Sequence, residues 1–241
     1  NRFLYSAHPN VLSEEQLANY KLAKSCFSIL DPTYSFAHVN PSTNEIMLNS
    51  PSGLIYLEYL SSGYKACLSI LLGVIKEIEY RFQETKLRAA QFDGILLIDE
   101  LSLHLHPNWQ AQIKDLILNT FPNIQLIATT HSPHVIQRLS PNEIIALSRT
   151  ENGVVKRELP SSEYGYQGWT LEEVLEDVMG MSSTTTQLLD SMFSRFEESI
   201  EQEDYQQASL AFKELDKLLH PNNHLRKLLR LQLASIAEDN D

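Results

Sequence analysis

Cysteine is nearly missing from this 241-residue chain: Cys26 and Cys67 are the only two. Two thiols cannot build a disulfide framework or a zinc cluster. Both lie among apolar neighbours and read as core thiols of a reducing compartment, which predicts a cytoplasmic protein. Long apolar runs are missing as well. Nothing approaches the roughly 18 residues that span a bilayer, and no signal-like segment opens the chain, so no membrane association is expected. Basic charge is scarce: 19 Lys and Arg stand against 31 Asp and Glu, a formal charge of -12. The deficit is uneven, with 16 acids and 6 bases in residues 161–241 but 15 and 13 in residues 1–160. That excludes a generally basic nucleic-acid footprint while leaving room for a local patch. There is no internal repeat or low-complexity tract, and residues 1–50 hold no heptad tract. What remains, 43% apolar and 21% charged, is a globular chain with one core, or one core and an appendage. The first residue is Asn1 rather than methionine, so upstream sequence is expected.

The pattern along the chain is mixed α and β. Ser13 and Gln16 form a capping-box pair that opens a helix to about Ile29, ended by Asp31-Pro32. Residues 44–57 predict two short strands about an Asn-Ser-Pro-Ser-Gly turn. From Ser61 to about Thr85, Ala66, Ile70, Val74 and Ile78 predict a helix buried on more than one side. The unbroken run Ile95-Leu96-Leu97-Ile98 predicts a strand covered on both faces, as in a parallel α/β sheet. A helix over Pro107–Thr120, a second buried strand over Asn123–Thr130 and a short helix to about Arg138 follow. This alternation argues for a parallel sheet. Glu143–Leu147 and Val154–Leu159 predict a hairpin across Glu151-Asn152-Gly153. Residues 161–169 read as a linker or capping loop pinned by Trp169, with Tyr164 and Tyr166 as aromatic cover for the core or, alternatively, as rings that stack on adenine or bases. A short helix over Thr170–Met179 is followed by an acidic tail of three helices, at about 184–199, 201–219 and 222–238.

Three segments carry candidate chemistry. The apolar strand runs into Asp99-Glu100, the arrangement in which a nucleoside triphosphatase holds Mg²⁺ with the Asp and polarises the attacking water with the Glu. Thr129-Thr130-His131-Ser132-Pro133 ends the next strand, and neighbouring parallel strands end at one edge, so His131 is expected to face the same crevice as Glu100. Leu60-Ser61-Ser62-Gly63-Tyr64-Lys65 opens the long helix, where free N–H groups and the helix dipole favour a phosphate. His104 and His106 admit a metal reading with Asp99 or Glu100, against a structural one. Arg226, Lys227 and Arg230 form the dense basic cluster of the tail, either a solvated helix face or a contact for DNA or an acidic partner.

In this order and spacing the segments resemble the ATP-binding cassette ATPases over about residues 42–150. LSSGYK resembles the signature motif, ILLIDE the Walker B strand with its catalytic Glu, LSLHLHP the dimer-contact loop and ATTHSP the switch-histidine segment. The Leu-His-Leu-His-Pro and Thr-His-Ser-Pro variants resemble the SMC/Rad50/RecF-like and OLD-like soluble ATPases. GWTLEEVLEDVMGM, residues 168–181, is most similar to the ATPase subunits of Septu and retron-associated anti-phage systems.

The resemblance implies an α/β fold, the C-terminal lobe of an ABC-type P-loop ATPase with a parallel sheet core, followed by the acidic helical tail. It implies ATP and Mg²⁺ as cofactors. Ser61, Ser62 and Gly63 would contact the γ-phosphate of ATP held mainly by a partner subunit, Asp99 would serve the metal, Glu100 would position water and His131 would sense the γ-phosphate. Ser102 falls in the dimer-contact loop. Ser62 stands where the family commonly has glycine and Tyr64 where it has Glu or Gln, and the latter change is expected to alter the hold on the partner's nucleotide. Implied partners are a second ATPase head and a separate, PtuB-like HNH endonuclease. A retron reverse transcriptase with its RNA/DNA product, and DNA itself, stay open.

No Gly-Lys dipeptide occurs in the chain, so a GxxxxGK[ST] phosphate loop is absent. The expectation is a C-terminal part of an ATPase head over 1–160, a linker and cap over 161–183, and a tail over 184–241 that docks a partner. A degenerate ATPase is the alternative, against which Glu100 and His131 speak. The function expected is an ATP-hydrolysing subunit of an anti-phage complex, slow or effector-regulated, that controls the nuclease. Alternatives are a RecF- or Rad50-type DNA-repair or chromosome-maintenance ATPase, an OLD-type nuclease, and a scaffold that binds ATP without turnover, against which Glu100 speaks. The tail lacks the strand–acid pattern a Toprim nuclease needs.

Overall fold

Helix α1 (Glu14–Leu30) begins where the capping box places it. Ser13 Oγ accepts from the Gln16 N–H at 3.3 Å, and Gln16 Oε1 accepts from the Ser13 N–H at 3.1 Å, so two otherwise unpaired helix-start donors are satisfied. In this computed structural model, residues 12–151, 153–160 and 163–237 are described. Asn19, Ala23, Cys26, Phe27 and Leu30 make the buried stripe of α1 at helical spacing. Asn19 is a buried polar side chain and is fully used. Its Nδ2 donates to Leu87 O at 2.8 Å and to Glu79, and its Oδ1 accepts from the Ala89 N–H at 2.6 Å, stapling α1 to the segment that leads into the central strands.

Strands β1 (Ser35–Val39), β2 (Ile46–Ser50) and β3 (Gly53–Tyr56) form an antiparallel meander. The turn into β3 uses Gly53 at φ 107°, a conformation L side chains avoid. The hairpin β2–β3 matches the sequence expectation, whereas β1 has no clear alternation and was not foreseen. Helix α2 (Ser62–Arg81) follows, capped by Ser61. Its buried stripe is Tyr64, Cys67, Leu68, Leu71, Ile75 and Ile78. Ala66, Ile70 and Val74 are only partly buried beside it.

Strand β4 (Gly94–Ile98) pairs in parallel with β5 (Ile124–Ala128), Leu97 beside Ile127 and Ile98 beside Ala128. Between them lie α3 (Pro107–Gln110) and α4 (Ile113–Thr120), two helices where one was expected. Helix α4 buries Ile113 and Ile117 completely. The parallel pairing is as predicted, but the expectation that β4 and β5 are covered on both faces is corrected. Leu96, Ile98 and Leu126 pack on the core, whereas Ile95 is 61% exposed, Leu97 71% and Ile127 50%. The period-2 alternation of a strand sends these three side chains to the other face, which is open to solvent here.

Helix α5 (Pro133–Ile136) follows β5, and β6 (Ala146–Thr150) pairs antiparallel with β7 (Gly153–Arg157) as the predicted hairpin. Asn152 of its turn and residues 161 and 162 of the loop lie outside the described residues. The short helix α6 (Leu171–Glu173) runs into a π-turn over Val174–Val178. Tyr166 is fully buried against Ile136, Val174 and Val178 and meets Trp169 edge-on at 5.0 Å, while Tyr164 is 77% exposed.

The chain divides into two compact units, Asn1–Met179 and Gly180–Asp241. The second consists of α7 (Gln187–Glu201), α8 (Tyr205–Leu218) and α9 (Leu225–Ser235) around its own core, in which Phe196, Ala208 and Leu215 are fully buried. Arg226 pairs with Asp216 at 2.7 Å and Arg230 reaches it at 3.6 Å, so two members of the basic cluster are engaged within this unit. The Arg226 guanidinium holds the Asp216 carboxyl below its usual range.

Candidate functional site

The register of β4 and β5 brings their C-terminal ends level, which sets Asp99-Glu100 beside Thr129-Thr130-His131. Two backbone bonds extend the pairing past the strands: the Thr129 N–H donates to Ile98 O at 3.0 Å and the Leu101 N–H to Thr129 O at 2.9 Å. Glu100 turns there with φ 55°, the left-handed region that non-glycine residues seldom occupy. That turn carries its carboxylate to His131, with Oε1 3.4 Å from Nε2. Glu100 is half-buried and His131 exposed, so the pair sits at a solvent-facing edge.

Asp99 is exposed, and its Oδ1 accepts from Thr129 Oγ1 at 2.6 Å. The same Thr129 oxygen accepts from the Glu100 N–H at 2.8 Å. Further along, Ser102 Oγ and Thr130 Oγ1 lie 3.0 Å apart, and the Ser132 N–H donates to Thr130 Oγ1 at 3.1 Å. Ser132 Oγ donates to Gln110 Oε1 at 2.7 Å, and Gln110 Nε2 donates to Leu105 O at 2.8 Å. The loop after β5 is thus tied to the loop after β4 through Thr129 and Thr130 and to α3 through Ser132, and Ser102 is a buried part of the loop-to-loop tie.

Ser61, Ser62 and Gly63 occupy the first turn of α2. Ser61 Oγ accepts from the Tyr64 N–H at 3.2 Å as the cap, and Ser61 and Ser62 are exposed. Among the described residues, no hydrogen bond or ion pair joins these three to Asp99, Glu100 or His131. Gly63 is buried beneath Trp109, whose Cδ1 lies 2.6 Å from where a β-carbon would stand. Tyr64, which stands where the family commonly has Glu or Gln, turns inward. Tyr64 is 3% exposed, packs edge-on to Tyr34 and Trp109, and its hydroxyl donates to Phe27 O at 2.7 Å. Burial, with the Asp31 charge adding to it, pushes its phenol well above the usual range.

Among the described residues, no three His, Cys, Asp or Glu side chains gather as a metal cage. Magnesium does not need one, because it is usually held by one or two carboxylates with water and phosphate oxygens. Asp99 fits that demand: one of its oxygens is taken by Thr129 and the side chain is open to solvent. His106 instead caps α3, its Nδ1 accepting from the Asn108 N–H at 3.4 Å, and His104 turns the loop at φ 60°.

The sequence marks Thr129 and Thr130 only as the end of a strand, with no role of their own, and gives no part to Gln110. A signal existed: two consecutive hydroxyls end the strand that a parallel register places against Asp-Glu.

Residues 30–137 match the family described as "AAA domain, putative AbiEii toxin, Type IV TA system". The Septu protein PtuA of Bacillus thuringiensis is 48% identical over 236 residues, which take in 97% of this chain and 60% of that protein. The protein named "Retron Ec83 probable ATPase", from Escherichia coli, is 29% identical over 174 residues, 69% of this chain and 31% of its own. A solved SMC ATPase structure is similar with a TM-score of 0.42 and 17% identity, over 59% of this chain and 84% of that one. The chain as a whole is a homologue of the Septu protein PtuA, and it spans 60% of the length of the Bacillus thuringiensis relative.

Proposed function

We propose that this chain is part of the ATP-binding and ATP-hydrolysing subunit of an anti-phage defence complex. The observation that carries the reading is the meeting of Glu100 and His131 at 3.4 Å beside Asp99, at the level ends of two parallel strands. The similarity to PtuA and to the retron ATPase supports the same reading.

In this reading Glu100 accepts the hydrogen bond of the attacking water and polarises it. His131 holds the Glu100 carboxylate from one side and presents its ring to the terminal phosphate. Asp99 serves Mg²⁺, which when bound neutralises charge on the phosphate oxygens. The N-terminus of α2, with Ser61, Ser62 and Gly63, offers backbone N–H groups to the γ-phosphate of ATP seated on a second subunit, so the heads dimerise around nucleotide. Residues 1–160 act as the C-terminal part of the head, 161–183 as linker and cap, and 184–241 as a docking tail for a separate HNH nuclease. The net charge of -10 over 161–241 suits a basic partner. A cytoplasmic location accords with two free buried thiols. Among the described residues, no helix is long and apolar enough to cross a membrane.

The test is Glu100→Gln in the full-length protein. ATP binding should persist while steady-state phosphate release falls by roughly a hundredfold or more. His131→Ala should lose less, because it positions rather than polarises. Unchanged turnover in Glu100→Gln refutes the assignment.

A further inference from the structure

We propose that Thr129 is a positioning residue for the acidic pair. Its single hydroxyl orients the Asp99 carboxylate and fixes the backbone turn that aims Glu100 at His131. The inference rests on the ATPase reading for its consequence in turnover, but not for its geometry.

A threonine hydroxyl has one proton to give and lone pairs to accept with. Thr129 uses both functions within the site. Its proton goes to Asp99 Oδ1 at 2.6 Å, and its oxygen takes the Glu100 N–H at 2.8 Å. Glu100 needs such a hold. At φ 55° it occupies a region disfavoured for a residue with a β-carbon, and a turn of that kind persists where its surroundings over-determine it. The Thr129 main chain supplies two more ties on either side, to Ile98 O and from the Leu101 N–H. Together these contacts bracket the Asp99-Glu100 dipeptide from the neighbouring strand. Thr130 serves a different end, joining Ser102 and Ser132. The two consecutive hydroxyls therefore divide the work, the second binding loop to loop and the first addressing the reacting carboxylates.

Thr129 and Asp99 are both exposed, and a hydrogen bond in water adds little to global stability. Replacing Thr129 therefore tests placement rather than folding. Thr129→Val keeps the branched shape and removes the hydroxyl, whereas Thr129→Ser keeps the hydroxyl and removes the methyl.

The experiment uses the full-length protein, with Glu100→Gln run in parallel. Thr129→Val should lower kcat roughly 10- to 100-fold with KM for ATP within about twofold, the cost of a misplaced catalytic group. Thr129→Ser should recover turnover to within a few-fold of wild type. The non-kinetic readout is hydrogen exchange at the Glu100 amide, which loses its acceptor in Thr129→Val but not in Thr129→Ser. Exchange should speed up at least several-fold in the valine variant alone. If Glu100→Gln is inactive while Thr129→Val turns over normally, or if serine fails as badly as valine, the positioning role is overturned and the ATPase reading stands. If Glu100→Gln is fully active, the ATPase reading fails, and the amide exchange still decides whether Thr129 holds the turn: equal exchange in the two variants overturns it.

Discussion

The indole of Trp109 occupies the space that a side chain on Gly63 would need. Its Cδ1 stands 2.6 Å from the position of a β-carbon there, closer than packed atoms approach. The glycine in the first turn of α2 is therefore required by packing whatever its part in nucleotide binding. Gly63→Ala should destabilise the protein by about 1–3 kcal/mol, the usual cost of overpacking, partly offset by alanine's better helix propensity. Denaturant unfolding would show a lower midpoint at unchanged slope. The double variant Gly63→Ala/Trp109→Ala should fall short of the sum of the single losses, because the two residues share one contact.

Ser61 should act on a second subunit. It is exposed at the head of α2, so an arginine there would block an approaching nucleotide-bearing surface by bulk. Ser61→Arg also loses the cap to the Tyr64 N–H, worth about 1 kcal/mol. Ser61→Ala isolates that loss. Light scattering of the full-length protein with a non-hydrolysable ATP analogue should show dimers for wild type and Ser61→Ala, and monomers for Ser61→Arg. Dimers in all three would sink the trans arrangement.

Cys26 and Cys67 are both fully buried, and burial pushes each thiol up to about 12 from an ordinary 9.0. Because the thiolate is the reactive species, neither should react with a thiol reagent at pH 8 in native buffer, and both should react once the chain is unfolded. The sign of the pH effect follows. A folded-state value above the unfolded one means that the native state keeps its proton longer. The contribution is complete below about pH 9 and is lost as the pH rises towards about 12. Unfolding monitored from pH 8 to 11 should show declining stability, with a shallower decline in Cys67→Ala. Rapid labelling of the native protein would contradict the burial.

Much of the architecture is legible in the residues. Ser13 with Gln16 announces α1, Gly53 and Gly153 mark the hairpin turns, and Asp99-Glu100 and His131 advertise themselves as residue types ending apolar runs. Less legible is what depends on tertiary partners. The unbroken run Ile95–Ile98 reads as buried on both sides, yet a strand divides its residues between two faces and only one of them is covered. Tyr64 looks like a variant position in a binding motif because the motif is read along the chain. The helix turns it inward, and its hydroxyl finds Phe27 O 37 residues away. Thr129 is easily overlooked because its importance comes from the β4–β5 register rather than from its neighbours in sequence.

The strip formed by Ile95, Leu97 and Ile127 has a practical consequence at the bench. Handled as an isolated fragment, this stretch presents a greasy ribbon where a soluble domain would show polar side chains. Such a fragment should be retained on hydrophobic-interaction resin, brighten an environment-sensitive dye and precipitate on concentration. Acidic substitutions at Leu97 and Ile127 should make it tractable without disturbing the opposite face, on which Leu96 and Ile98 pack.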